Sequence, residues 1–184
     1  RQGGHCRVVE DIPYGPITEF VGAIAKRSLE HCASGATPPL ICIDDVGVGG
    51  GVTDILREQG FPTVAIVGGA AATQLLPNGK PRFVNKRAEL WWNMREAFAG
   101  PSGTGEDGWL DIDPDDDDLM AQLSNIKYRI NSHGQIVIEG KDEMKARGVS
   151  SPDRGDALAF ALARDRPDET LQPILERMVT SDVM

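Results

Sequence analysis

Three cysteines in 184 residues, Cys6, Cys32 and Cys42, are too few and too scattered for a disulfide framework or a zinc site. A reducing cytoplasm is the setting they suit. Long apolar runs are missing too: none approaches the roughly 18 residues a membrane helix needs, so no membrane partner is expected. No signal-peptide pattern opens the chain, which starts without Met, so the natural start is expected upstream. Basic residues are outnumbered, 19 Lys and Arg against 28 Asp and Glu, a net charge of -9. Taken alone, that sign argues against a general nucleic-acid coat. Much of the excess sits in one run, "DIDPDDDD" at 111–118, and carboxylates that hold metal ions add to the same count. What remains is an ordinary globular composition, 40% hydrophobic and 26% charged, long enough for one domain with a real core.

Hydrophobic spacing sets out an α/β order. "CRVVED" reads as a short strand. After Pro16, the residues Ile17, Phe20, Val21, Ile24, Ala25 and Leu29 recur at helical spacing until "ASGATPP" breaks the pattern. "LICID" is a buried strand, "GVTDILREQG" a helix ended by Gly60, and "PTVAIV" a second buried strand. Strand, helix and strand at that distance predict a βαβ unit with parallel pairing. Further on, "NKRAELWWNMREAFAG" predicts a helix and "PSGTGEDG" a flexible insert. "PDDDDLMAQLS" predicts a helix whose acidic first turn suits the helix dipole. "IKYRINSHGQIVIEG" predicts a hairpin turning at Ser132, His133 and Gly134. A short helix "DEMKARG" follows. The strong helix "SPDRGDALAFALAR" comes next, with Ser151 as N-cap and Pro152 in the first turn. "DETLQPILERMV" reads as a tail helix interrupted by Pro173. No internal repeat is present.

The chemistry is expected in the carboxylates. Asp156 precedes Ala159, Phe160 and Ala163 at i+3, i+4 and i+7, which puts a carboxylate on an apolar stripe. Such a group is costly unless something pairs with it, such as a metal ion. Asp153 lies one turn earlier on the same face; loading a helix N-terminus is the plain alternative for both. Asp44 closes a buried strand at its C-terminal end, where α/β folds place ligand chemistry, although an Asp there also serves to cap a turn. Asp45, leaving the strand, suits the capping role better. Carboxylates converging on a strand end would hold a pair of divalent ions about 3.5–4 Å apart, a phosphodiester-cutting arrangement. Oxygen-only ligands suit Mg²⁺ or Mn²⁺. The loop "GVGGGV" (47–52) only approximates a dinucleotide fingerprint, because Val52 stands where glycine is needed, and two aspartates ahead of it would repel a pyrophosphate. No Walker motif is present; "PNGKP" has Gly79 and Lys80, but proline follows.

In order, "IDDVGVGGGVTDIL", "FVNKRAELWWNMREAF", "DDDLMAQLSNIKYRINSHGQIVIEGKDEMKARG" and "SPDRGDALAFAL" resemble the C-terminal nuclease domain of the large terminase subunit of tailed bacteriophages, over about 40–164. The resemblance implies a ribonuclease H-like mixed β-sheet flanked by helices, with a C-terminal β-hairpin insertion. It also implies a single nuclease domain over 1–184, cutting concatemeric double-stranded phage DNA with two ions, Mg²⁺ or Mn²⁺. Asp44 and Asp156 fall on family acids, with Asp153 as an auxiliary. The family's first-strand acid finds no match before Asp44; Glu10 and Asp11 do not fit, and the acid is expected upstream of Arg1. Lys127, Arg129, Lys141, Lys145 and Arg147 are candidates for DNA phosphate contacts, against the alternative of a solvated face. Implied partners are double-stranded DNA, the portal protein, the small terminase subunit and the terminase ATPase domain, in the host cell cytoplasm and not in the mature virion. One of Trp91 and Trp92 is expected in the core, and His133 in a turn. The alternatives are a catalytically incomplete module of the packaging motor that contacts DNA or the portal, and a Rossmann-like nucleotide binder.

Overall fold

The computed structural model describes residues 4–8, 11–12, 15–32 and 38–165; the tail-helix expectation at 168–179 lies outside them. In chain order the elements are β1 (His5–Cys6), α1 (Ile17–Glu30), β2 (Ile41–Asp44), α2 (Val48–Glu58), β3 (Thr63–Ile66), α3 (Lys86–Ala99), β4 (Asp111–Ile112), α4 (Asp117–Asn125), β5 (Tyr128–Ile130), β6 (Ile136–Ile138), α5 (Lys141–Ala146) and α6 (Asp153–Ala161). They gather into two compact units. One holds Ile12–Ile66; the other holds Val67–Leu162 together with the residues up to Asp11.

In the first unit, β2 and β3 pair in parallel, Ile41 opposite Thr63 and Asp44 opposite Ile66, as the βαβ reading predicts. The connecting helix turns its apolar side onto α1 and the strands. Leu56 is fully buried beside Val21 and Val52, with Ile41, Ile43 and Phe61 packed around them. Truncating a leucine so enclosed would cost about 2–5 kcal/mol. The helix begins earlier than predicted: Gly49, Gly50 and Gly51 lie inside α2, and only the glycine turn at Gly47, with φ +67°, precedes it. The reason is a close approach. A Cβ on Gly49 would run into the carbonyl of Asp44. Glycine lets the helix start directly over the strand end, at the usual loss of helix propensity.

In the second unit, Asn85 caps α3 by accepting the Ala88 N–H, and Gly100, at φ +66°, ends it. Trp91, Met94 and Ala97 are buried, and α3 and α4 both pack on α6. Trp91 is the tryptophan in the core; Trp92 is partly buried beside Phe83 and Ile138. β5 and β6 form the antiparallel hairpin, joined by a turn in which Asn131 Oδ1 accepts the N–H groups of His133 and Gln135. His133 is thus a turn residue.

Three local expectations are corrected. Among the described residues the first strand is His5–Cys6, and its parallel partner β4 lies in the acidic run, where the sequence predicts no strand; positions 9–10 of the expected strand lie outside the described residues. Ser151 does not cap α6: its hydroxyl donates to Asp153 Oδ1, at 2.6 Å, and Pro152 takes the cap position without a side-chain bond. Asp45 does not cap α2 either; it accepts the Thr53 hydroxyl at 2.7 Å.

Two buried carboxylates tie loops to helices. Glu89 on α3 accepts from the Thr73 N–H and hydroxyl, the Gln74 N–H and Lys86. Burial pushes its pKa up, but these donors outweigh it and hold the carboxyl below its ordinary value. Glu139, after β6, takes Arg147 Nε and Nη2, both at 2.6 Å, a bidentate bond that fixes the end of α5.

Candidate active site

Pro152 opens α6, and its carbonyl accepts the Asp156 N–H at 2.7 Å. That first turn aims Asp156 into the packing between α6 and α3, where it is only 6% exposed. Its Oδ1 accepts two hydrogen bonds from α3, from Arg87 Nε at 2.8 Å and from Trp91 Nε1 at 2.7 Å. Arg87 continues to the Glu139 carbonyl through Nη1, 2.9 Å, while its buried Nη2 has no hydrogen-bond partner among the described residues. The guanidinium also lies 5.6 Å from the Trp91 ring centroid, a cation–π distance. The indole fits only because residue 155 is glycine: a Cβ there would stand 2.6 Å from Trp91 Cη2.

The second oxygen of Asp156 faces α5. Lys141 Nζ stands 3.6 Å from Asp156 Oδ2 and 3.0 Å from Asp153 Oδ1. Two carboxylates one helical turn apart thus converge on one ammonium. The Ser151 hydroxyl and Lys141 together hold the Asp153 pKa below its ordinary value against the opposing effect of partial burial. For Lys141, burial pushes down, but Asp153 and Asp156 outweigh it and the amine is held more firmly protonated. The positive end of the α6 dipole favours both carboxylates.

Asp153, Asp156 and Lys141 come together within the Val67–Leu162 unit; Lys141, a candidate for DNA phosphate contact, stands against both carboxylates. Asp44 is exposed at the end of β2, in the Ile12–Ile66 unit. Arg129 pairs with Glu143 at 3.1 Å, and Arg147 is taken up by Glu139. Lys127 and Lys145 are exposed and form no salt bridge among the described residues. Sequence reasoning passed over Arg87 and Trp91 as partners of Asp156, although both lie in the "NKRAELWW" stretch. The signal was present: a carboxylate on an apolar stripe demands a donor from a facing helix.

Among the described residues, no three His, Cys, Asp or Glu side chains form a group able to hold a metal ion. The pair on α6 nevertheless fits a cation by its chemistry. Both donors are hard carboxylate oxygens, and the Lys141 ammonium is a positive charge already standing between them.

Small sheets flanked by helices make a mixed α/β fold, and its likeness to solved structures bears out the ribonuclease H-like expectation. Solved structures similar to it include nuclease domains of a phage large terminase subunit. The nuclease domain of the large terminase subunit gp2 of bacterial virus Sf6 matches with a TM-score of 0.66 at 22% identity, over 91% of this chain and 80% of that one. A mutant form of the same domain with manganese matches with a TM-score of 0.65 at 23% identity, over 86% and 79%. A mutant form with calcium matches at 0.65 and 23%, over 86% and 78%. No protein-family profile matches the chain, and no curated protein matches it. Among the described residues, no helix is long and apolar enough to cross a membrane.

Proposed function

We propose that the chain is the metal-dependent endonuclease domain of a viral DNA-packaging terminase, hydrolysing phosphodiesters of concatemeric double-stranded DNA. The observation that carries this reading is the convergence of Asp153 and Asp156 on one cation, in a fold shared with terminase nuclease domains solved with manganese and calcium. Asp156 and Asp153 would hold Mg²⁺ or Mn²⁺. Asp44, at a strand end, would serve a two-ion site together with a further acid. A bound divalent ion supplies charge neutralisation at the phosphate and makes the attacking water more acidic.

The chain's own residues prepare that chemistry. Arg87 and Trp91 fix Asp156 Oδ1, so its other oxygen keeps one direction without paying for rearrangement at each turnover. Lys141 holds the two carboxylates together, and a bound ion would take the place of its ammonium. DNA phosphates would be met by Lys127 and Lys145, the candidate basic residues without salt bridges among the described residues, with the portal protein, small subunit and ATPase domain as partners in the host cytoplasm. A catalytically incomplete module contacting DNA or the portal is the second reading, favoured by the lack of a three-carboxylate group among the described residues.

Plasmid cleavage in Mn²⁺ tests the first reading. In a chain with the full acid cluster, Asp156→Asn and Asp44→Asn should each abolish cleavage while the circular dichroism spectrum is retained; full cleavage by both variants would overturn it. Calorimetric Mn²⁺ binding without any cleavage by the native chain selects the second.

A further inference from the structure

The hairpin carries an open sheet edge whose hydrogen-bonding pattern is fixed. The Lys127 carbonyl accepts the Glu139 N–H at 2.8 Å, and the Gln135 carbonyl accepts the Asn131 N–H at 3.0 Å. With Arg129 opposite Val137, the backbone groups of 127, 129 and 131 turn inward to β6, and those of Tyr128 and Ile130 turn outward. β6 is covered on its far side, where Ile136 N donates to the Arg82 carbonyl and Val84 N to the Ile136 carbonyl, at 2.9 and 3.1 Å. Among the described residues no strand pairs with the outer edge of β5.

That edge is apolar and stands beside a cavity. Tyr128 and Ile130, on one face, are 54% and 66% exposed. Tyr128 meets Trp92 edge-on at 5.2 Å, which continues the row of Ile136 and Ile138 outward from the core. The adjoining cavity, about 450 Å³, is lined by Tyr128, Trp92, Phe98, Leu123 and Ile126. Two exposed cations also line it: Arg95, 4.9 Å from the Trp92 ring centroid, and Lys127. Neither makes a salt bridge with a carboxylate among the described residues. In a chain of net charge -9, two such cations beside an apolar cavity select an acidic ligand.

We infer that the open edge of β5 and this cavity receive an extended segment of a partner protein, alternating acidic and large apolar residues, as a third strand. Main-chain bonds to Tyr128 and Ile130 would hold it, an apolar side chain would fill the cavity, and carboxylates would meet Arg95 and Lys127. A second copy fits poorly, because pairing both outward residues of β5 with their counterparts sets Arg129 opposite Arg129. A nucleic-acid backbone fits poorly too: its phosphates accept hydrogen bonds, whereas this edge offers carbonyls as well as N–H groups. The inference does not rest on the nuclease reading.

The test is fluorescence anisotropy on the whole chain, with a labelled peptide alternating glutamate with leucine and phenylalanine. Saturable binding is expected, weakened about tenfold or more by N-methylation of alternate peptide bonds and by the double change Arg95→Glu, Lys127→Glu. Ile130→Pro should weaken it similarly, since it removes an outward donor and leaves the inward ladder intact. If Ile130→Pro does not fold, the N-methylated peptide carries the test by itself. No saturable binding, or equal affinity for the N-methylated peptide, overturns the inference. So does dimerisation of the native chain that Ile130→Pro abolishes in sedimentation, or binding of a single-stranded oligodeoxynucleotide, but not the peptide, at this edge.

Discussion

Trp91 Nε1 lies 2.7 Å from Asp156 Oδ1, a hydrogen bond between two buried side chains on facing helices, 65 positions apart in the chain. Arg87 Nε reaches the same oxygen at 2.8 Å. That oxygen is therefore held by one neutral and one charged donor, and removing either leaves buried charge incompletely paired. Trp91→Phe should cost about 1–3 kcal/mol. Arg87→Met should cost about 3–5 kcal/mol, since it leaves Oδ1 with one neutral donor and only the Lys141 ammonium, 3.6 Å from Oδ2, to offset its charge. Arg87→Lys should not restore stability, because an ammonium cannot span Asp156 and the Glu139 carbonyl as the fork does. Urea unfolding of the three variants checks the order.

Lys141 places its ammonium where a divalent ion would sit between Asp153 and Asp156. Lys141→Ala should tighten Mn²⁺ binding by about tenfold, a ~1.4 kcal/mol gain that is modest against the Coulomb repulsion of close charges. Titration calorimetry of both proteins at matched ionic strength measures it. Unchanged affinity would mean that the ion binds elsewhere.

Glu89 supplies a pH dependence with a definite sign. Its folded pKa is below the ordinary value of 4.5, so its contribution to stability is present above that value and is lost as pH falls through the lower folded one. Glu89→Gln should be the less stable protein near neutrality, by about 1–3 kcal/mol. The gap should close as the pH is lowered beneath 4.5. Thermal melts at several pH values compare the two.

Gly49→Ala should destabilise the Ile12–Ile66 unit by about 1–3 kcal/mol, despite the better helix propensity of alanine, because the new methyl collides with the Asp44 carbonyl. Gly50→Ala, whose Cβ would meet nothing nearer than Asp45 Oδ1 at 3.9 Å, should be neutral or stabilising. Equal losses at the two positions in denaturant titrations would contradict the close-approach argument.

Elements stated by their own periodicity were legible in the sequence: α1, α3, α6, the βαβ pairing and the hairpin around His133. Residues whose meaning depends on a distant partner were not. β4 hides in an acidic run because only its pairing with β1, His5 opposite Asp111, makes it a strand. The start of α2 hides in glycines, which weigh against a helix until the Asp44 carbonyl beside Gly49 is known. Asp156 was conspicuous as a carboxylate on an apolar stripe, but its donors Arg87 and Trp91 sit 69 and 65 positions away. Arg147 looked like a surface cation because nothing local reveals the bidentate hold of Glu139. The fold likeness confirms the ribonuclease H-like expectation at the level of architecture. The ion count and the DNA contacts rest on the proposal.

The clasp of Asp153, Asp156, Arg87 and Lys141 has one more consequence. Two negative and two positive side chains leave the clasp itself without net charge, so it adds little repulsion toward a phosphodiester. On the nuclease reading, the nucleic acid itself supplies the missing negative charge, so ion and substrate strengthen each other's binding. A cutting site that arms only when its target is seated would stay inert while DNA is elsewhere.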